Sequence, residues 1–135
     1  MNAILRILAA IAIAPAAANA KVTAERMVNA NAVPENWLTY SGTYMSQRHT
    51  TLDQITRGNV DELELKWVFQ AQSLEAFETT PLVVDGIMYL TEAPNTALAL
   101  DAATGRVFWR TQYDPSTQAR PCCGRVNRGL AMVGD

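Results

Sequence analysis

The chain has 135 residues with 11 basic and 13 acidic side chains, a net charge of −2, and 49% hydrophobic residues. No Lys/Arg run or basic stripe interrupts this mixture, which excludes the electrostatic footprint of a nucleic-acid-binding protein. The two cysteines are neighbours, Cys122 and Cys123, and no Cys-x-x-Cys or Cys-x-x-Cys-His spacing occurs, so zinc-site and haem-attachment readings are excluded as well.

The first twenty residues have the anatomy of an export signal. Arg6 supplies a positive n-region, Ile4 to Ile13 form an apolar run too short to span a bilayer comfortably, and Pro15 precedes the small-x-small pattern Ala18-Asn19-Ala20. The expected cut follows Ala20 and sends the mature protein to the periplasm; an uncleaved N-terminal anchor is the alternative. Cleavage removes Arg6 and leaves 10 basic against 13 acidic side chains, net −3. The chain stops at Met132-Val133-Gly134-Asp135 within an apolar pattern that reads as the entrance to another strand, so a piece of a longer product is expected.

Residues 21–64 read as an irregular lead-in. Asn29, Asn31 and Pro34 discourage a long helix early on, Asn36 to Gly42 is aromatic and then turn-forming, and Thr56 to Leu65 predicts a short helix capped at Asn59. From Leu65 onward the pattern becomes β-like. Leu65 to Gln70 alternates as a strand, Pro81 to Val84 and Ile87 to Thr91 flank the tight-turn pair Asp85-Gly86, Ala97 to Leu100 resumes after Pro94-Asn95-Thr96, and Arg106 to Thr111 follows a turn at Asp101 to Gly105. The last four segments make an antiparallel meander that buries too little to stand alone and should stack on similar units. An all-β propeller blade beginning a domain over 65–135 is therefore expected, with a sandwich or barrel as the alternative. Within the turn, Asp101 and Thr104 can bond backbone groups, Gly105 can take positive φ, and Trp109 is expected to bury its indole between blades.

The chemistry concentrates near the end. A disulfide between neighbours closes the smallest loop and restrains the unfolded chain hardly at all, so the pair Cys122-Cys123 is more useful as a flat, polarisable surface against a planar ring than as a staple. Free thiols, or bridges to another chain, remain open. Arg128, in Asn127-Arg128-Gly129, could fork onto a carboxylate or carbonyl of the same ligand, with Arg125 and Arg120 as competitors. Glu78, entering the first strand of the meander, either bonds a ligand on the rim or ends a strand in water. His49, the one histidine, sits in a turn and receives no role.

These pieces together resemble the periplasmic pyrroloquinoline quinone (PQQ) dependent alcohol dehydrogenases of the methanol and ethanol type. The likeness runs through Asn36-Trp37-Leu38-Thr39-Tyr40, Leu52-Asp53-Gln54-Ile55, Glu78-Thr79-Thr80-Pro81, the tryptophan-docking pattern from Ala99 to Trp109, and Cys122-Cys123-x-x-Val126-Asn127-Arg128-Gly129. The resemblance implies an eight-bladed β-propeller of which this chain is the N-terminal part, with the vicinal disulfide Cys122–Cys123 covering one face of PQQ. It further implies that Glu78 and Arg128 bind PQQ, with Val126 and Asn127 lining the same loop. It supplies Ca²⁺ or a lanthanide as Lewis acid and an Asp as base, all with ligands beyond residue 135, so no catalytic or metal residue falls in this segment. A small primary alcohol as substrate and a cytochrome c as electron acceptor follow from the same resemblance, which also admits peripheral association with the membrane. A non-catalytic propeller scaffold, or a PQQ enzyme acting on sugars or aldehydes, are the alternatives. Gly124-Arg125 departs from the family, many of whose members carry an acidic residue after the pair, and leaves subtype and substrate open.

Overall fold

The computed structural model describes residues 21–114, 116–120 and 122–134; the expected export signal lies outside them. Strands β1 (Leu82–Val84), β2 (Ile87–Glu92), β3 (Thr96–Asp101) and β4 (Val107–Gln112) form one antiparallel sheet in the order β1-β2-β3-β4. Their bounds match the sequence expectation to within a residue or so. The β1–β2 hairpin turns on Asp85 (φ 51°) and Gly86 (φ 79°), the pair of left-handed residues that matches the natural twist of the flanking strands. Asn36 secures it by accepting a hydrogen bond from the Asp85 N–H at 2.7 Å, and Arg26 forms an ion pair with the Asp85 carboxylate.

The alternation of β2 and β3 sorts their side chains to two faces. Met88 pairs with Leu100 and Leu90 with Leu98 across the ladder, and this face packs against Phe69. The opposite face carries Tyr89 and Val84, covered by Val22, Met27, Ala30 and Leu38 from the lead-in and by Met132. Burial of these side chains is the main favourable term holding the lead-in to the sheet. The edge of β1 receives Trp37 through two backbone bonds with Val83.

The lead-in is more structured than its composition suggests. A short helix, α1 (Ala24–Val28), starts at Thr23, whose hydroxyl accepts from the Arg26 N–H at 3.1 Å, and Glu25 lies in its first turn, as N-terminal capping favours. Conversely, the helix expected over Thr56 to Leu65 reduces to a 3₁₀ turn, Val60–Glu62. Asn59 flanks this turn but does not cap it. Its side-chain oxygen accepts from the Thr56 N–H at 2.7 Å and its amide donates to the Gln54 carbonyl at 2.8 Å, so the side chain points back into the loop.

Two further expectations concern contacts that a single sheet does not make. From Lys66 to Gln70 the segment keeps a strand-like alternation, Trp67 and Phe69 inward against Lys66, Val68 and Gln70 outward. It has no ladder among the described residues, because a strand exists only with a neighbouring backbone to bond. Trp109 is 44% exposed, because β4 is the edge of this sheet and is exposed along its whole length; the burial expected for it is one between blades, outside this single sheet. The indole that docks on the β3–β4 turn is Trp67 instead, since a Cβ on Gly105 (φ 72°) would come within 2.5 Å of the Trp67 ring. The turn itself behaves as expected, with Asp101 accepting from the N–H groups of Ala103 and Thr104 at 2.9 and 3.1 Å. Among the described residues no helix is long and apolar enough to cross a membrane.

Candidate functional site

The residues singled out in the sequence come from two segments far apart in the chain. One is the approach to β1, residues 72–80; the other is the cysteine loop, residues 122–129. A parallel bridge between Thr80 and Gly129 brings them together. The contact is close because Gly129 has no side chain: at φ 118°, a Cβ there would lie 3.1 Å from the Thr80 carbonyl oxygen. Asn127 shapes the same turn by accepting from the Gly129 N–H at 3.0 Å.

The bridge sets Arg128 beside Glu78. Arg128 Nε donates to Glu78 Oε2 at 3.0 Å, across 50 positions of sequence, with the two side chains 76% and 41% exposed. Three residues earlier in each segment, Arg125 Nη1 lies 3.6 Å from Glu75 Oε1. The loop and the approach segment therefore face each other through two matched charge pairs. Exposed pairs of this kind add little stability. Their use is alignment, and the Nε contact leaves the forked terminal nitrogens of Arg128 available for a ligand.

Cys122 and Cys123 are bonded to each other, with Cα atoms 3.8 Å apart as across an ordinary trans peptide. Both lie exposed at the start of the loop, while Val126 and Asn127 are half-buried. Of the competing arginines, Arg120 bonds the carbonyls of Thr117 and Ala119 in its own loop, whereas Arg125 joins the site through Glu75. His49 lies elsewhere, lining a shallow surface cleft with Asn31, Trp37 and Thr43. Among the described residues no group of three or more His, Cys, Asp or Glu side chains could hold a metal ion.

Sequence reasoning missed Glu92. This carboxylate ends β2 and is 0% exposed. Its Oε1 accepts from the Gln72 N–H at 3.0 Å, and its Oε2 is 2.5 Å from Arg110 Nη2 of β4. That second contact is one of charge, outside hydrogen-bond alignment. A signal was present: in β2 the period of two puts Glu92 in phase with Met88 and Leu90, on a face otherwise apolar.

Thr79 completes the seating of the approach segment, its hydroxyl oxygen accepting from the Thr91 N–H at 3.2 Å and bonding the Thr91 hydroxyl at 3.0 Å.

With this geometry in place, residues 37–135 match the family of PQQ glucose/ethanol/alcohol dehydrogenase β-propeller domains. The dehydrogenase subunit of the quinone alcohol dehydrogenase of Acetobacter aceti is 47% identical over 111 residues, covering 79% of this chain and 15% of that protein. Methanol dehydrogenase [cytochrome c] subunit 1 of Methylobacterium organophilum is 37% identical over 129 residues, 92% of this chain and 21% of that one. A europium-containing methanol dehydrogenase superposes with a TM-score of 0.72 at 33% identity, over 81% of this chain and 20% of that structure. The chain thus spans between about a seventh and a fifth of the length of these relatives. The motifs that carried the resemblance and the blade observed in the fold agree with this match, and the chain belongs to the PQQ-dependent alcohol dehydrogenase β-propeller family.

Proposed function

We propose that this chain supplies one wall of the cofactor site in an exported quinoprotein that oxidises a primary alcohol with PQQ and passes the electrons to a cytochrome c. The observation that carries the reading is the meeting of Glu78 with Arg128 beside the bonded pair Cys122–Cys123. The donor set suits PQQ, a planar quinone bearing carboxylates. The paired sulfurs offer a polarisable surface for a ring face, Arg128 offers forked donors for a carboxylate or carbonyl, and Asn127 and Val126 border the same loop. Glu78, balanced by Arg128, adds a hydrogen-bonding carboxylate without adding net charge beside an acidic ligand. When bound, PQQ supplies the two-electron acceptor that the protein itself lacks. The protein's part at this wall is to bind, orient and keep water from one face.

Ca²⁺ or a lanthanide is proposed as the Lewis acid, held with the aspartate base by parts of the quinoprotein outside this chain; the europium-containing neighbour and the small share of each relative covered support this. Export with cleavage after Ala20 would leave Val22, which is buried and pairs through its backbone with Gly134, as the second residue of the mature chain. Cytochrome c as acceptor is supported by the name of the Methylobacterium relative.

The test uses the full-length quinoprotein. Apoprotein titrated with PQQ in the presence of Ca²⁺ or a lanthanide should acquire a stoichiometric quinone absorption and oxidise a primary alcohol in preference to an aldose. The Arg128→Ala protein should bind PQQ at least about tenfold more weakly. Retention of wild-type PQQ affinity in Arg128→Ala would overturn the assignment of this wall, and preferential oxidation of the aldose would overturn the substrate class.

A further inference from the structure

We propose that Glu92 is a positioning residue for the PQQ site, fixing the segment that carries Glu78; this rests on the reading of Glu78 as a PQQ ligand. A carboxylate with no exposure is costly to bury unless its charge is met. Apolar neighbours Leu90 and Leu98 surround its face of the sheet, so a leucine would serve packing better at this position. What the carboxylate does instead is hold backbone. The segment from Gln72 to Thr79 has no ladder partner among the described residues, and its N–H groups need acceptors from elsewhere. Glu92 takes the first, that of Gln72, at 3.0 Å. The preceding residue, Thr91, takes hold of Thr79 at the other end.

Consecutive residues of β2 thus grip both ends of one arch, and the arch carries Glu75 and Glu78 toward Arg125 and Arg128. Arg110, reaching from β4 on the same face, neutralises the buried charge and ties it to the far side of the sheet. Glu92 pairs with Thr96 and Arg110 with Leu98, both buried residues of β3, so the Glu92–Arg110 contact runs diagonally across three strands. Loss of the Gln72 anchor frees the arch at one end while Thr79 and the Thr80–Gly129 bridge still hold the other. Glu78 then keeps its neighbourhood but loses its fixed position.

The experiment compares Glu92→Gln, Glu92→Leu, Gln72→Pro and Glu78→Gln with wild type in the full-length quinoprotein, reading PQQ affinity of the apoprotein, the absorption of the bound quinone, and melting temperature. Glu92→Gln keeps an acceptor for the Gln72 N–H and should bind PQQ within about threefold of wild type. Glu92→Leu should bind about tenfold more weakly, with a shifted quinone absorption. Gln72→Pro removes the same hydrogen bond from the exposed side without touching the core, and should match Glu92→Leu in affinity even if Glu92→Leu fails to fold. A purely structural role predicts lowered melting temperatures with wild-type affinity and spectrum in every folded variant, and that result would overturn the proposal. Wild-type affinity in Glu78→Gln alone would instead overturn the reading beneath it.

Discussion

Gly129 shows how a single atom's absence shapes the site. Its backbone stands at φ 118°, outside the region L side chains adopt readily, and the space a Cβ would need is occupied by the Thr80 carbonyl. Alanine at 129 is expected to cost about 1–3 kcal/mol and to push the cysteine loop off the approach segment. Gly86 provides the control: its φ is also positive, but a methyl group there would meet nothing within 4 Å. In the full-length protein, Gly129→Ala should therefore lower the melting temperature more than Gly86→Ala, and it alone should weaken PQQ binding. Equal effects of the two changes on affinity would show that the close approach at Thr80 is not what aligns Arg128 with Glu78. The sequence carried Glu78, Arg128 and the cysteine pair as separate candidates; it carried no distance between them, because the bridge that unites them, Thr80 to Gly129, depends on backbone pairing between segments far apart in the chain.

At the scale of elements, the meander was legible because each strand is bounded by residues with local reasons to turn: Asp85-Gly86, Pro94-Asn95 and Asp101 to Gly105. Short-range chemistry sufficed there. The segment from Leu65 to Gln70 was legible in its alternation but not in its pairing, and Trp67 was overlooked as the indole lying over Gly105. Trp67→Ala should free that segment, costing about 1–3 kcal/mol for a half-buried aromatic, and limited proteolysis should then cut between residues 63 and 79 faster than in wild type. Trp109→Ala, at an exposed edge of this sheet, should leave cleavage there unchanged. Cleavage rates that respond to Trp109 and not Trp67 would assign the docking role back to the edge strand.

At the scale of the molecule, one blade leaves apolar surface uncovered. Leu65, Val68 and Leu74 ahead of the sheet and Val107, Phe108 and Trp109 along its edge strand are exposed, a pattern suited to stacking between neighbouring blades. Residues 21–135 produced alone should bind a hydrophobic reporter dye and associate with increasing concentration, while the full-length protein should do neither. A monomeric, dye-silent isolated piece would show that this surface needs no neighbours. By itself the sequence determined the four-stranded meander and its turns, since those follow from local periodicity and turn chemistry, and its motifs nominated Glu78, Arg128 and the cysteine pair, by resemblance, as candidates for a quinone site. Only the tertiary structure decided which of them meet. The Thr80–Gly129 bridge, the choice of Arg128 for Glu78 and Arg125 for Glu75, and the contacts of buried Glu92 with Gln72 and Arg110 all join segments distant in sequence, whose meeting no local pattern sets.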